Sequence, residues 1–350
     1  MNSSASVDSC GSPGLGVPAE PVRASGRLCP RPPPALLSIV IPIYNEEQTL
    51  PHLRERMTQL MADLQPAVEL ILVDDGTTDR SYELLCDWAK ADGRVKVIAL
   101  SRNFGHQLAT TAGLRYARGD AVVIMDADLQ DPPELVPAMV QGYCEGYEVV
   151  YGQRTERLGE TAFKRYSAFL FYQLMRRLIS PDLPANVGDF RLLGRRILSE
   201  INRLHERDRF LRGLVSWAGF PQKALPYLRQ PRVAGETKYP VLKMVRFATN
   251  AIVSFSDLPL RIIMWLGLGS VALSALLCIW AVGSFFLAPP GLVPGWASII
   301  VILCFFSGAI LSALGMIGLY VGRIYTEVQR RPLFLVAQTR NLEEPTAAPP

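Results

Sequence analysis

Three acids follow a short apolar run in AVVIMDADLQDPPEL: Asp126, Asp128 and Asp131. Carboxylates this close repel one another and resist burial, so their grouping after a strand-like stretch calls for a positive partner. Asp126 and Asp128 are two apart, and on an extended chain both side chains point the same way. Two hard oxygen ligands on one face suit Mg²⁺ or Mn²⁺, ions that keep waters and complete their shell with substrate phosphates. A D-x-D pattern alone is common, and a solvated acidic loop would carry it equally well. Here two further strand ends join it, Tyr44-Asn45-Glu46 and Asp74-Asp75-Gly76. There is no G-x-x-x-x-G-K-[ST] loop, and the glycine cluster Gly11 to Gly16 has no strand before it. His52, His106 and His205 are isolated, without paired His or Cys ligands, and read as structural or surface groups.

Such strand ends require a sheet to hold them. From Leu36 the chain alternates apolar runs (SIVIPIY, VELILVDDG, RVKVIALS, AVVIMDADL) with amphipathic stretches, the first of these running from about Glu46 to Leu64. Thr77, Thr78 or Asp79 is available to cap the helix SYELLCDWAKA. The alternation predicts an α/β domain with a mainly parallel sheet covered on both faces. Sheets of that kind bind ligands at the carboxyl ends of their strands, where the acidic clusters fall.

The 350 residues are 49% hydrophobic, and the mean hydropathy of +0.18 is raised by two local runs. Ile262 to Ala288 and Trp296 to Val321 carry no charge, and each exceeds the roughly 20 residues that cross a bilayer. They predict two transmembrane helices, about 262–288 and 297–321, as a hairpin within 261–322. Arg261 precedes the hairpin and Arg323, Arg330 and Arg331 follow it, so the soluble domain and both termini are expected on the cytoplasmic side of the cell (inner) membrane. Tyr239 to Phe255, within 236–260, has the spacing of an amphipathic helix lying in the lipid bilayer interface; a helix packed on the soluble domain is the alternative. Residues 323–350 read as a cytoplasmic tail. Residues 1–35 are rich in Ser, Gly and Pro without a signal-peptide core and read as a disordered tail. The six cysteines form no C-x-x-C pair, which argues against a disulfide framework. The net charge is +4; its basic concentration is one juxtamembrane block, Arg229 to Arg261, suited to anionic lipid, and no nucleic-acid module is present.

Together, IPIYNEEQTL, LVDDGTTDRS, SRNFGHQLATTAG and DADLQDPPEL resemble the family 2 glycosyltransferases. Within them the chain is most similar to the polyprenyl-phosphate glycosyltransferases, the group of dolichyl-phosphate mannose synthases and bacterial undecaprenyl-phosphate glucose synthases. The resemblance covers about Leu37 to Glu327. It implies a GT-A nucleotide-sugar-binding domain over 36–235, an inverting transfer, a Mg²⁺ or Mn²⁺ cofactor, a nucleotide-sugar donor such as UDP-glucose, a polyprenyl phosphate acceptor, and a homo-oligomer, with a tetramer suggested by family relatives. It also implies that Pro42, Tyr44, Asn45 and Glu46 line the nucleoside pocket, with Asp75 on the base or ribose. Asp126 would lie near the ribose and diphosphate, and Asp128 would bind the metal with Gln130 nearby.

For the acceptor phosphate, the resemblance points to Arg154 and to Lys164 and Arg165 on the following helix. Arginine suits a phosphate because its planar fork donates two parallel hydrogen bonds. Arg232 and Lys238 in RQPRVAGETKYP are further phosphate candidates. Arg212 and Trp217 in RFLRGLVSWAGF do not follow the Q-x-x-R-W pattern of processive polysaccharide synthases. Asp189 in NVGDFRLLGRR matches the catalytic base of related enzymes. A lipid monophosphate, however, is already largely ionised at neutral pH, its second pKa being about 6. Asp189 is therefore expected to orient the acceptor or its cationic partners. Two rivals stand beside this expectation: a same-fold transferase acting on a hydroxyl of a neutral lipid or glycan, which needs Asp189 as a true base, and a non-catalytic nucleotide-sugar-binding membrane scaffold.

Overall fold

The computed structural model describes residues 28–155, 187–204, 206–207, 209–228, 258–287 and 296–342. A strand–helix alternation opens the chain: β1 (Leu36–Ile43), α1 (Leu50–Asp63), β2 (Ala67–Asp74), α2 (Ser81–Ala91), β3 (Val95–Leu100), α3 (His106–Tyr116) and β4 (Ala121–Ile124). A 3-10 turn, Pro133–Leu135, leads into α4 (Val136–Cys144), β5 (Val149–Arg154), β6 (Val187–Gly194), α5 (Arg195–Arg203), α6 (Leu211–Trp217) and β7 (Gln222–Tyr227). Two long helices follow, α7 (Leu258–Leu287) and α8 (Trp296–Val328), and then a last strand, β8 (Val336–Arg340).

The strands form one sheet in the order β7-β5-β6-β4-β1-β2-β3-β8. Its centre, β4-β1-β2-β3, is parallel, as the alternation predicts. β6 runs antiparallel to β4 and β5, β7 runs parallel to β5, and β8 runs antiparallel to β3. The central strands are apolar along their whole length because both faces are covered. Leu37, Ile39, Ile41 and Ile43 face a core with α1, α2 and α4, whereas Val40, Ile71 and Val73 face a second core with α3, α5 and α6. Gly113 lets α3 lie close on that second face, since a Cβ there would strike Val40 Cγ1.

Register brings the strand ends together. Ile43 pairs with Asp74 and Val40 with Ile124, so the segments leaving β1, β2 and β4 start side by side. The first helix begins later than its sequence suggests, at Leu50, because Asn45 takes a left-handed φ of 54° and Glu46–Thr49 forms a turn.

Two stretches expected to be tails are built into the domain. Residues 28–35 dock on α4: the Arg31 guanidinium stacks 3.8 Å from the Tyr143 ring and binds Glu148 Oε1 at 2.7 Å. Gly146 permits this, because a Cβ there would meet the Cys29 backbone at 2.7 Å. Only residues 1–27 of the expected N-terminal tail lie outside the described residues. Within 323–350, β8 extends the sheet and Asn341 Nδ2 donates to Ala89 O and Val95 O at 2.7 and 2.8 Å. The expected interface helix, Tyr239 to Phe255, lies outside the described residues. Among those described, Phe305–Val328 is long and apolar enough to cross a membrane, by length and composition.

Candidate active site

The ends of β1, β2 and β3 are fastened to one another. Asp75 is buried, and its carboxylate accepts the backbone N–H groups of Phe104 (2.7 Å) and Gly105 (2.9 Å). Burial still raises its pKa. Gly76, at φ 69°, lies against the Arg102–Asn103 backbone, which a Cβ would approach to 2.6 Å at Asn103 N. Asn45 Oδ1 accepts Thr78 N at 2.8 Å, and Glu46 N donates to Ser81 Oγ at 2.9 Å. Pro42 is buried beneath these loops, whereas Tyr44 stands 46% exposed at their mouth. Tyr44, Asn45 and Glu46 thus lie at one rim with Pro42 buried beneath it, and Asp75 braces the loop beside it.

The acids of DADLQD divide into two groups. Strand pairing of β4 stops at Ile124, and Ala127–Asp128 is a turn. Burial nevertheless keeps alternating: Ala127 and Leu129 are buried, while Asp126, Asp128 and Gln130 sit on the open side. Leu129 holds a φ of 55°, a left-handed conformation that costs a β-carbon-bearing residue on the order of 1 kcal/mol. Gln130 N folds back to Asp128 Oδ1 at 3.2 Å. Asp131 goes elsewhere. It is fully buried, accepts the Tyr227 hydroxyl, and lies 3.6 Å from Arg154 Nη2. Its cation is an arginine of the chain itself, not an ion to be gathered with Asp126 and Asp128.

Across the second face, Asp189 on β6 is buried and gripped by Arg212 of α6. Nε and Nη2 of Arg212 donate to its two oxygens at 2.7 and 3.1 Å, and Gln107 Nε2 adds a bond of 3.1 Å. His106 Nε2 lies 3.4 Å from Asp189 Oδ2 and 3.5 Å from Asp126 Oδ1. Burial alone would raise the Asp189 carboxyl, but His106, Arg212 and Arg191 overcome it and hold the group well below the ordinary carboxylate range. Asp126 is the opposite case. Burial, with the nearby charges of Asp189, Asp131 and Asp128, pushes it up to about 6 against the pull of His106. Its Oδ1 is buried without a hydrogen bond. A crowded, under-satisfied carboxylate beside Asp128 is a fit for a hard divalent cation. No group of three or more His, Cys, Asp or Glu side chains among the described residues makes a metal cage, so such an ion would complete its shell with phosphate and water.

Arg154 and Arg212 flank the start of β6 from its two faces. Arg154 crosses Gly188, where a Cβ would meet its Nη2 at 2.6 Å, and its Nε points to the Tyr227 hydroxyl at 3.3 Å. Arg212 Nη1 donates to Val187 O at 3.1 Å. Of the other cations expected to receive a phosphate, Lys164, Arg165, Arg232 and Lys238 lie outside the described residues. The sequence alone singles out neither His106, which reads as isolated there, nor Gln107. The signal was positional: Gly105-His106-Gln107 follows a strand at the same sheet end as the D-x-D pair.

The description "Glycosyl transferase family 2" matches residues 38–201. The Bacillus subtilis (strain 168) glycosyltransferase YkcC is 46% identical over 306 residues, covering 87% of this chain and 94% of that protein. An SfII prophage-derived bactoprenol glucosyl transferase of Shigella flexneri is 35% identical, covering 87% and 98%. A prophage bactoprenol glucosyl transferase homolog of Escherichia coli (strain K12) is 32% identical, covering 87% and 99%.

Proposed function

The chain belongs to the family 2 glycosyltransferases and is an enzyme that transfers a sugar; from that premise we propose that it moves one sugar from a nucleotide-sugar donor, UDP-linked, to the phosphate of a polyprenyl phosphate at the cytoplasmic membrane face. The nucleotide lies on the rim of Pro42, Tyr44, Asn45 and Glu46. Asp126 and Asp128 hold Mg²⁺ or Mn²⁺, which when bound neutralises charge on the leaving diphosphate. The acceptor phosphate enters beside Arg154 and Arg212, with Lys164, Arg165, Arg232 and Lys238 as further cations. Direct attack of a phosphate oxygen on the anomeric carbon forms the new C–O bond as the bond to the nucleoside diphosphate breaks, so an α-linked donor gives a β-linked product.

The observation that carries this reading is the state of Asp189. A carboxylate clamped bidentately by Arg212 and held far below its ordinary pKa is a poor proton acceptor. An acceptor hydroxyl would need a base there, whereas an ionised phosphate needs none. The bactoprenol glucosyl transferases, matched over nearly their full length, support the same acceptor class. The membrane assignment rests on α7 and α8. Ile310, Leu311 and Leu314 are 59%, 69% and 57% exposed, an apolar surface that water does not tolerate and lipid does. The pair is read as a transmembrane hairpin.

The test uses purified protein with Mn²⁺ or Mg²⁺, undecaprenyl phosphate and a panel of radiolabelled nucleotide sugars, scoring label that extracts into organic solvent. Label from one donor, lost with chelator and in Asp128→Asn, is the expected result and names the sugar. Nucleotide release without lipid labelling from any donor would move a hydroxyl acceptor to the front.

A further inference from the structure

One imidazole stands between the two acid centres. His106 Nε2 is 3.5 Å from Asp126 Oδ1 and 3.4 Å from Asp189 Oδ2. Both distances are long for a hydrogen bond and nearly equal, so the imidazole stands between the two carboxylates without being committed to either. The residues on either side of it are fastened. Asp75 holds Phe104 N and Gly105 N, and Gly105 turns into the helix at φ 97°. Gln107 uses both ends of its amide, Nε2 to Asp189 Oδ2 and Oε1 from Leu211 N, each at 3.1 Å. The first turn of α3 is therefore locked to β2 on one side and to β6 and α6 on the other. Its imidazole reaches the segment leaving β4 and the start of β6 together.

We propose that His106 is a positioning residue: its Nε2–H spans the donor-side carboxylate Asp126 and the acceptor-side carboxylate Asp189 and sets the separation between them. The proposal rests on the reading of the site given above. Asp126 fixes the leaving-group side, and Asp189 fixes the Arg212 fork on the attacking side. Asp126 follows the end of β4 and Asp189 lies on β6, the strand beside it, and the two acids repel. The imidazole replaces that repulsion with an attraction to each. Displacement at the anomeric carbon needs the attacking oxygen, the carbon and the leaving oxygen nearly in line, and a shift of about 1 Å costs on the order of 100-fold. Loss of the bridge should thus slow transfer without emptying the nucleotide rim.

The test compares full-length His106→Ala, His106→Gln and Asp189→Asn in the lipid-labelling assay, with the His106→Ala/Asp189→Asn double variant. A glutamine amide nitrogen reaches about as far as Nε2 and can donate in its place. The alanine variant is expected to lose about 30- to 100-fold in kcat with donor KM unchanged within about threefold, and the glutamine variant to recover most of the loss. The double variant should be no slower than Asp189→Asn alone. Unchanged kcat in the alanine variant, no recovery by glutamine, or fully additive losses would each overturn the bridge. A second arm needs no substrate: thermal-unfolding cycles pairing His106→Ala with Asp126→Asn and with Asp189→Asn. Non-additive shifts in both cycles support the bridge, and additivity in either removes it. Coupled cycles in a protein that labels no lipid would sink the acceptor reading while leaving His106 between its two acids.

Discussion

The two ends of the sheet treat their acids differently. At the amino ends of the parallel strands the carboxylates, buried Glu69 and Glu148 and exposed Asp120, meet donors of the chain. Glu69 takes Lys96, the Ser38 hydroxyl and Arg118 N; Asp120 takes Ala35 N and Leu36 N; Glu148 takes Arg31. At the carboxyl ends, Asp131 and Asp189 have arginines, but Asp126 Oδ1 has no hydrogen bond and a distant imidazole. One end uses charge to join strands. On the proposed reading the other keeps part of its charge for a bound cation, and the difference would separate stability from chemistry along a length of about six residues per strand.

That separation can be broken from the functional end first. Asp128→Asn should lower transfer about 1000-fold while the thermal midpoint stays near that of the parent, checked by labelling and by unfolding of the same preparation. Lys96→Met should do the converse, because it strands buried Glu69: about 3 kcal/mol of stability lost, read as a lowered denaturation midpoint, with transfer per folded molecule unchanged. The same variant carries a pH signature. Burial opposes ionisation of Glu69, but Lys96, Ser38 and Arg118 N outweigh it and hold its pKa below the ordinary value. A depressed carboxylate contributes stability that is complete above its unfolded value, about 4.3, and is lost as pH falls through the lower folded value. Without Lys96 the folded pKa rises, so the acid limb of midpoint against pH should move to higher pH. Arg212→Lys would sharpen the comparison from within the site, since a point charge cannot hold both Asp189 oxygens; transfer should fall about tenfold, or 1.4 kcal/mol. The smallest effect belongs to the sheet edge: Asn341→Ala should cost about 1 kcal/mol for its two backbone bonds, with no change in donor KM.

Much of this frame is legible in the chain. Apolar runs bounded by D-D-G and D-x-D give β1 to β4 and their order of use, because parallel central strands are uniformly apolar and their ends collect polar residues. Arginine partnerships are not legible. Nothing local tells Asp131 from Asp128; the difference is made by Tyr227 and Arg154, which arrive from β7 and β5. His106 looked isolated because its partners lie about 20 and 80 positions away along the chain, at strand ends that the fold brings together. The docked segment at Arg31 and the strand β8 escaped for a related reason. One is proline-rich and the other short and half-exposed, and each becomes ordered through a surface built elsewhere.

β8 has a mechanical consequence. Seven residues, 329–335, separate the end of α8 from the strand that pairs with β3, and Leu335 already accepts Ser101 N at 2.9 Å. A chain of that length reaches about 25 Å at most. On the reading that α8 crosses the bilayer, the catalytic domain is leashed at its sheet edge and cannot rise above that height. The search for a membrane-bound acceptor is then confined to a thin layer, in which collisions are two-dimensional and the local concentration of lipid is set by the leash. Because the leash ends beside the segment that carries Asp75's partners and His106, the layer the enzyme samples and the geometry of its site are held by the same few residues.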